Sequence, residues 1–261
     1  MADSVLTTTT TDGLTTITLN RPKAMNALNT ELKNALREAL AAAEQDDGCR
    51  AILLKGASER AFCVGQDLVE HVDNLTGDDP LATVREHYNP IATLLFNMDK
   101  PVVCAVQGAA AGAGASLTFL CDFRVGGPST KFTMAFSGIG LAADTGASYT
   151  LPRLVGSAKA HEMLMLNTTV AAAEAARIGL LTHLTESDEA VQETAQDLAT
   201  QLAAGPTLAY AQIKKQLRLR ADFNEMLSAE AAAQAACGFS ADHVNAVDAF
   251  VNKRKPRFEG K

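Results

Sequence analysis

An α/β fold with a helical C-terminal third is predicted, on three observations. Short apolar runs alternate with stretches of helical period through the first two thirds of the chain. The runs at 51–55 and 102–106 lack the polar alternation of a half-exposed strand, as strands covered on both faces do. From Asp188 onward only helical patterns remain.

The elements follow in order. Threonine-rich runs at 7–11 and 15–19 flank Asp12-Gly13, a two-residue hairpin signal. After the turn at Asn20-Arg21-Pro22-Lys23, Asn29 is placed to cap a helix. That helix carries Leu32, Leu36, Ala39, Leu40 and Ala43 on one stripe and ends by Gly48. A buried strand at 51–55 leads into residues 56–79, which show no period and are expected as a long functional loop. A helix over 81–98 precedes the strand Val102–Val106. Next come a Gly/Ala turn, a helix through Leu117 and Leu120, and a strand at 123–125. Helical pattern resumes over 137–151, 156–166 and 171–178, the last stopped by Gly179. In the final third, Val191, Ala195, Leu198 and Leu202 line one face, Gly205-Pro206 interrupts, and three more helices follow. Their apolar faces can be covered by the chain's own sheet or by another copy; the expected division is a core over 1–195 and a helical oligomerisation region over 196–261.

Composition excludes several classes. With 47% apolar and 20% charged residues in 261, the chain is neither disordered nor fibrous. A net charge of −7 argues against nucleic-acid binding, which needs a broad basic face. The last nine residues nevertheless hold five basic groups and one acid, the signature of a local anion site. Five scattered cysteines without a C-x-x-C argue against a disulfide framework or zinc, and no histidine pair has metal-ligand spacing. His71 and His87 border the long loop and are placed to line a pocket, but the expectation for the histidines is a solvated surface position. The charge-free residues 102–121 contain three glycines and many alanines, and so suggest a buried strand–turn–helix instead of a membrane span. The start of the chain has no secretory pattern, so a cytoplasmic protein is expected.

Three motifs carry candidate chemistry. In Ala61-Phe62-Cys63-Val64-Gly65-Gln66-Asp67-Leu68, Gly65 permits positive φ and close backbone approach, with Asp67 suited to a turn or cap. The Gly/Ala run 107–116 opens a helix N-terminus at Ala113, either as an anion-stabilising turn or as close strand–helix packing. In Gly138-Ile139-Gly140-Leu141-Ala142-Ala143-Asp144-Thr145-Gly146, Asp144 sits where a loop enters a helix. That position suits an N-cap; as a base, Asp144 needs partial desolvation.

In this order and spacing the segments closely resemble the enoyl-CoA hydratase/isomerase (crotonase) superfamily, from Leu19-Asn20-Arg21-Pro22 to the terminal Lys253-Arg254-Lys255-Pro256-Arg257-Phe258. The resemblance implies a ClpP-like spiral of ββα units, a C-terminal helical trimerisation region, and homotrimers or hexamers. It also implies an acyl-CoA substrate whose thioester carbonyl lies between the N–H groups of Val64 and Ala113. CoA contacts are implied at Lys23, Ala24, Val64, Gly65, Gln66, Asp67 and Leu68, and at Lys253 and Lys255 of a partner subunit. No metal and no cofactor beyond the substrate's own CoA are implied.

Hydratases of the family use two glutamates, at positions that match Ser116 and Phe136 here. Neither residue exchanges a proton as a carboxylate does. Asp144 matches the aspartate of the family's isomerases, and the surrounding motif is most similar to the epoxyphenylacetyl-CoA isomerase group. The expectation is therefore an enoyl-CoA isomerase with Asp144 as proton shuttle. A hydratase and a non-catalytic acyl-CoA-binding oligomer are the alternatives.

Overall fold

In the computed structural model, which describes residues 4–74, 79–219 and 223–261, the first hairpin forms at Asp12-Gly13. Strands β1 (Leu6–Thr11) and β2 (Leu14–Leu19) pair antiparallel, and Asp12 (φ 50°) and Gly13 (φ 82°) supply the two left-handed residues of a tight hairpin turn. β1 is a threonine edge whose side chains mostly face water, a polar rim that discourages edge pairing. Helix α1 (Thr30–Gln45) starts where Asn29 Oδ1 accepts the Leu32 N–H at 3.0 Å.

Two sheets organise the rest. The larger has the order β1-β2-β3-β5-β7-β10, with β3 (Ala51–Gly56), β5 (Val102–Val106), β7 (Phe123–Gly126) and β10 (His183–Leu184) joining in parallel. One face packs Ile17, Ile52 and Leu54 under Leu32, Leu36 and Leu40 of α1. The other packs Leu53, Val103 and Val125 against Val191, Ala195 and Leu202 of α8 (Ala190–Ala203). Coverage on both faces is why these strands lack alternation. It also means that α8 lies on the chain's own sheet, and that residues 195 and 196 fall inside this one helix. Among the described residues no helix is long and apolar enough to cross a membrane.

The smaller sheet, β4-β6-β8-β9, was not legible in the sequence. It comprises β4 (Ala61–Cys63), β6 (Ala109–Ala111), β8 (Lys131–Thr133) and β9 (Val170–Ala171), each too short to show a period of two. The expected loop over 56–79 thus contains β4 and a seven-residue helix, α2 (Leu68–Asn74); residues 75–78 lie outside the described ones. The single helix expected over 81–98 is a π turn (Val84–Tyr88) running into α3 (Asn89–Asn97). Pro90 explains the break: it has no N–H to offer the turn before it, and Asn89 N–H bonds to Val84 O instead. The helix expected over 137–151 starts late. A 3-10 turn (Ser137–Ile139) and left-handed residues at Gly140, Thr145 and Gly146 precede α5 (Ala147–Val155). Helix α4 (Ala113–Phe119) precedes β7, and α6 (Ser157–Met165) and α7 (Ala172–Arg177) follow α5, with Gly179 at φ 83°. After Gly205-Pro206 come α9 (Thr207–Arg218), α10 (Phe223–Gly238) and α11 (Ala241–Val251).

One buried charge ties β7 to the turn that follows α4 and to the segment before β10. Arg124 is buried, and its guanidinium donates to Leu180 O at 2.6 Å and Cys121 O at 2.6 Å. Arg124→Met leaves these carbonyls without donors and is expected to cost about 2–4 kcal/mol, read as a lower denaturation midpoint.

Candidate active site

Chain reversals at the C-terminal ends of β4, β6 and β8 bring the candidate residues together. β4 and β6 are parallel neighbours, as are β6 and β8, so Val64, Gly112-Ala113 and Phe136 all emerge on one side. Gly65 has φ 88°, and a Cβ built on it meets Ala111 O at 2.9 Å and Ala113 N at 3.3 Å. The two motifs therefore touch through a glycine because nothing larger fits. Gly112 turns the chain at φ 50°, ψ −127° and starts α4, so Ala113 N–H is a first-turn donor with no intrahelical acceptor. Gly114 is held on β4 by the same logic: a Cβ there meets Cys63 O at 2.3 Å. Val64 N–H makes a long bond, 3.3 Å, to Met25 O.

The segment 21–28 is stapled alongside. Leu28 N–H donates to Gly65 O at 2.7 Å, Asp67 N–H to Leu28 O at 3.2 Å, and Arg21 Nη1 reaches Asp67 Oδ2 at 2.8 Å. Asn26, fully buried and left-handed, accepts from Arg21 N–H and donates to Phe62 O at 2.9 Å. Lys23 is exposed and Ala24 half-buried on the 3-10 turn Pro22–Ala24. The backbone of 21–28, which carries Lys23 and Ala24, thus runs beside that of 64–67. Asp67 serves as a cap as well: Oδ1 accepts the Val69 N–H at 3.0 Å, and the Arg21 hydrogen bond holds its carboxyl below the usual value. The Gln66 amide points inward, its oxygen accepting from the Tyr88 hydroxyl and its nitrogen donating to Glu70.

Asp144 does not cap α5. The cap position is Gly146, with no side-chain bond, and Asp144 contributes only its backbone carbonyl, to Ala147 N–H at 3.0 Å. Its partly buried carboxylate accepts one hydroxyl, Thr145 Oγ1 at 2.7 Å. Burial pushes this carboxyl above its ordinary value, and the Thr145 bond offsets part of the rise. Phe136 is buried, and the Ser116 hydroxyl is spent inside α4 on Gly112 O at 3.0 Å. Burial raises the Cys63 thiol to about 12, so it is no nucleophile. Among the described residues no group of His, Cys, Asp and Glu is placed to hold a metal ion.

Lys253 and Lys255 do not join this site within one chain. Arg50 Nη1 holds Phe258 O at 3.0 Å, and Asp242 accepts the N–H groups of Glu259 and Gly260. Arg50 precedes β3, whereas the Val64 side lies past its far end, a strand of ~20 Å away. A cleft of about 1140 Å³ lies apart from these residues. It is lined by Arg60, Gln107 and Lys131 at the N-terminal ends of β4, β6 and β8, with Lys55 from the end of β3 and Asp188 from just before α8.

Lys33, Glu70 and Tyr88 belong to no motif of the sequence. Lys33 lies beside the apolar stripe of α1, three and seven residues before Leu36 and Leu40, a detectable signal. Its partner Glu70 is 37 residues away and has no local mark. His87, expected at the surface, is half-buried with Nδ1 3.2 Å from Thr83 Oγ1; burial and the nearby Lys33 charge lower its pKa.

Comparison with known proteins agrees with this architecture. Residues 9–261 match the family Enoyl-CoA hydratase/isomerase. The chain is 41% identical over 254 residues to the 1,2-epoxyphenylacetyl-CoA isomerase of Escherichia coli (strain K12), covering 95% of this chain and 96% of that one. It is 30% identical over 259 residues to the crotonyl-CoA hydratase of Syntrophomonas wolfei, covering 95% of each. A crystal structure from Mycobacterium abscessus superposes with a TM-score of 0.95 at 41% identity, over 98% of this chain and all of that one. With its two-sheet α/β core and the match running over nearly its whole length, the chain belongs to the enoyl-CoA hydratase/isomerase family and has the crotonase fold.

Proposed function

We propose that the protein is an acyl-CoA isomerase that moves a double bond of an enoyl-CoA thioester, or opens a ring, through an enolate. One observation supports this reading: the Asp144 carboxylate is desolvated, while the two positions that the resemblance matches to the hydratase acids hold Ser116 and Phe136. In the double-bond shift from 3,4 to 2,3, Asp144 takes a proton from C2 and the electrons pass to the thioester oxygen. The N–H groups of Val64 and Ala113 stabilise that oxygen, with the Val64 donor exchanging its long bond to Met25 for the ligand. Protonated Asp144 then returns the proton to C4. No water is consumed, and buried Phe136 helps keep it out.

The thioester's CoA portion would lie along Lys23, Ala24 and the backbone of 64–68, with Lys253 and Lys255 supplied by a second copy. Phe239, 92% exposed, together with Leu217, Val244 and Val251, gives α9 to α11 and the loop between them an apolar surface suited to a homotrimer or hexamer. Light scattering in solution checks that assembly.

Incubation with a 3-enoyl-CoA in deuterium oxide tests the activity. Conjugated product without hydration supports the isomerase. A 3-hydroxyacyl product establishes the hydratase instead, and a bound thioester with neither conjugation nor label establishes a binding protein.

A base must be ionised to act, so kcat/KM is expected to rise with pH through a pKa above the usual aspartate value. Thr145→Val removes the hydroxyl that lowers this pKa, and the acid limb of the pH–rate profile is expected to move to higher pH.

A further inference from the structure

A charged network is packed behind the 64–67 segment. Lys33 is fully buried, and its three ammonium protons are all placed: Glu70 Oε1 at 2.6 Å, Thr83 Oγ1 at 2.7 Å and Gln66 Oε1 at 3.2 Å. Gln66 Oε1 also accepts from the Tyr88 hydroxyl at 2.5 Å, and Gln66 Nε2 donates to Glu70 Oε1 at 3.1 Å and Asp67 O at 3.3 Å. Glu70 Oε2 closes the circuit on the Thr30 N–H at 2.5 Å. The Gln66 amide is therefore held on both its oxygen and its nitrogen, two residues after Val64.

Burying an ammonium is costly unless it is fully paired, and a hydrophobic side chain would fill the same space on the α1 stripe more cheaply. What the ammonium adds is direction. It joins α1, α2 and the π turn at one amide whose backbone is bridged to Leu28. The same strip of backbone sets the Val64 N–H, and Gly65 abuts Ala113 N. Burial, and after it the Asp144 charge, push the Tyr88 hydroxyl above its ordinary value, and its hydrogen bond goes to Gln66.

We propose that Lys33 is a positioning residue which, through Gln66 and Tyr88, holds the Val64 N–H in line with the thioester oxygen. This rests on the reading of Val64 as a donor to that oxygen. Lys33→Met keeps the volume of the stem and removes the charge. Its kcat is expected to fall about 10- to 100-fold, the scale of a small misplacement of a reacting group, with thioester affinity little changed.

The spectroscopic test uses trans-cinnamoyl-CoA at saturating concentration. Polarisation of its conjugated carbonyl shifts the absorbance to the red, a signal that loss of general stability does not produce in folded protein. Wild type is expected to show the shift, and Lys33→Met to lose most of it. Tyr88→Phe, which deletes one hydrogen bond and keeps the ring, is expected to show a smaller loss in both shift and kcat; it carries the test if Lys33→Met does not fold. Variants that retain the full shift and kcat overturn the positioning role alone. An unshifted wild-type complex overturns the assignment of Val64, and this inference with it.

Discussion

Asp144→Asn is expected to lower kcat for enoyl-CoA isomerisation by about 10²–10⁴-fold, the span that positioned acid–base groups contribute, while the thioester still binds. Asparagine matches aspartate in shape and keeps an oxygen for the Thr145 hydroxyl, so the 140–146 loop has no reason to rearrange. It cannot accept the C2 proton. No neighbour substitutes: Ser116 is committed within α4 and Cys63 is held neutral. Steady-state kinetics with a direct binding titration separates the two effects.

The same substitution is expected to stabilise the fold at neutral pH. Because Asp144 holds its proton more tightly folded than unfolded, the stability it confers is fully present below the ordinary value of 3.8. That contribution is lost as pH rises through the raised value. At neutral pH the ionised, desolvated carboxylate is a net cost, and asparagine removes it. An Asp144→Asn variant with a lower melting temperature at pH 7 would contradict this. Glu70 has the opposite sign. Burial opposes its ionisation, but hydrogen bonds from Lys33, Thr30 and Gln66 prevail and hold it to about 2. Its contribution is therefore present above the usual 4.5 and fades as pH falls toward 2.

Gly65→Ala is expected to be nearly as damaging, for geometric reasons. The left-handed φ of 88° costs an L-residue about 1–2 kcal/mol. The added methyl also falls 2.9 Å from Ala111 O and 3.3 Å from Ala113 N, both backbone atoms that cannot swing aside. Relief requires β4 and the start of α4 to separate, which moves both N–H donors. Loss of one such donor is worth about 2.7–4 kcal/mol, so kcat should fall on the order of 10²–10³-fold. Gly156→Ala is the control. It has a similar φ of 78° with nothing within 4 Å, and should cost folding stability alone. Equal kinetic losses in the two variants would show that the contact at Gly65 is immaterial.

Much of the fold was local and therefore legible. Asp12-Gly13 can hardly do other than reverse a hairpin, Asn29 presents a cap oxygen to an apolar stripe, and Gly179 and Gly205-Pro206 end helices because of backbone freedom or a missing N–H. The motif glycines were also readable, since close approach demands the absence of a side chain wherever it occurs. The short strands β4, β6 and β8 were not. Three residues carry no period, and these strands exist because their neighbours supply hydrogen-bond partners.

Asp144 marks the boundary between the two kinds of information. Its position before a helix suited a cap, yet the extra turn formed by Thr145 and Gly146, both left-handed, leaves its carboxylate off the helix end and half out of water. Fold class, family and the residue types at each motif can be read along the chain. Those depend on propensities and patterns that span a few residues. That the Asp144 carboxyl is desolvated and that Gly65 presses on Ala113 follow from packing. So does the meeting of buried Lys33 with Glu70 across 37 residues of chain. Desolvation and ion pairing are set by whatever lies nearby in space, and neighbours in space are a property of the packed chain.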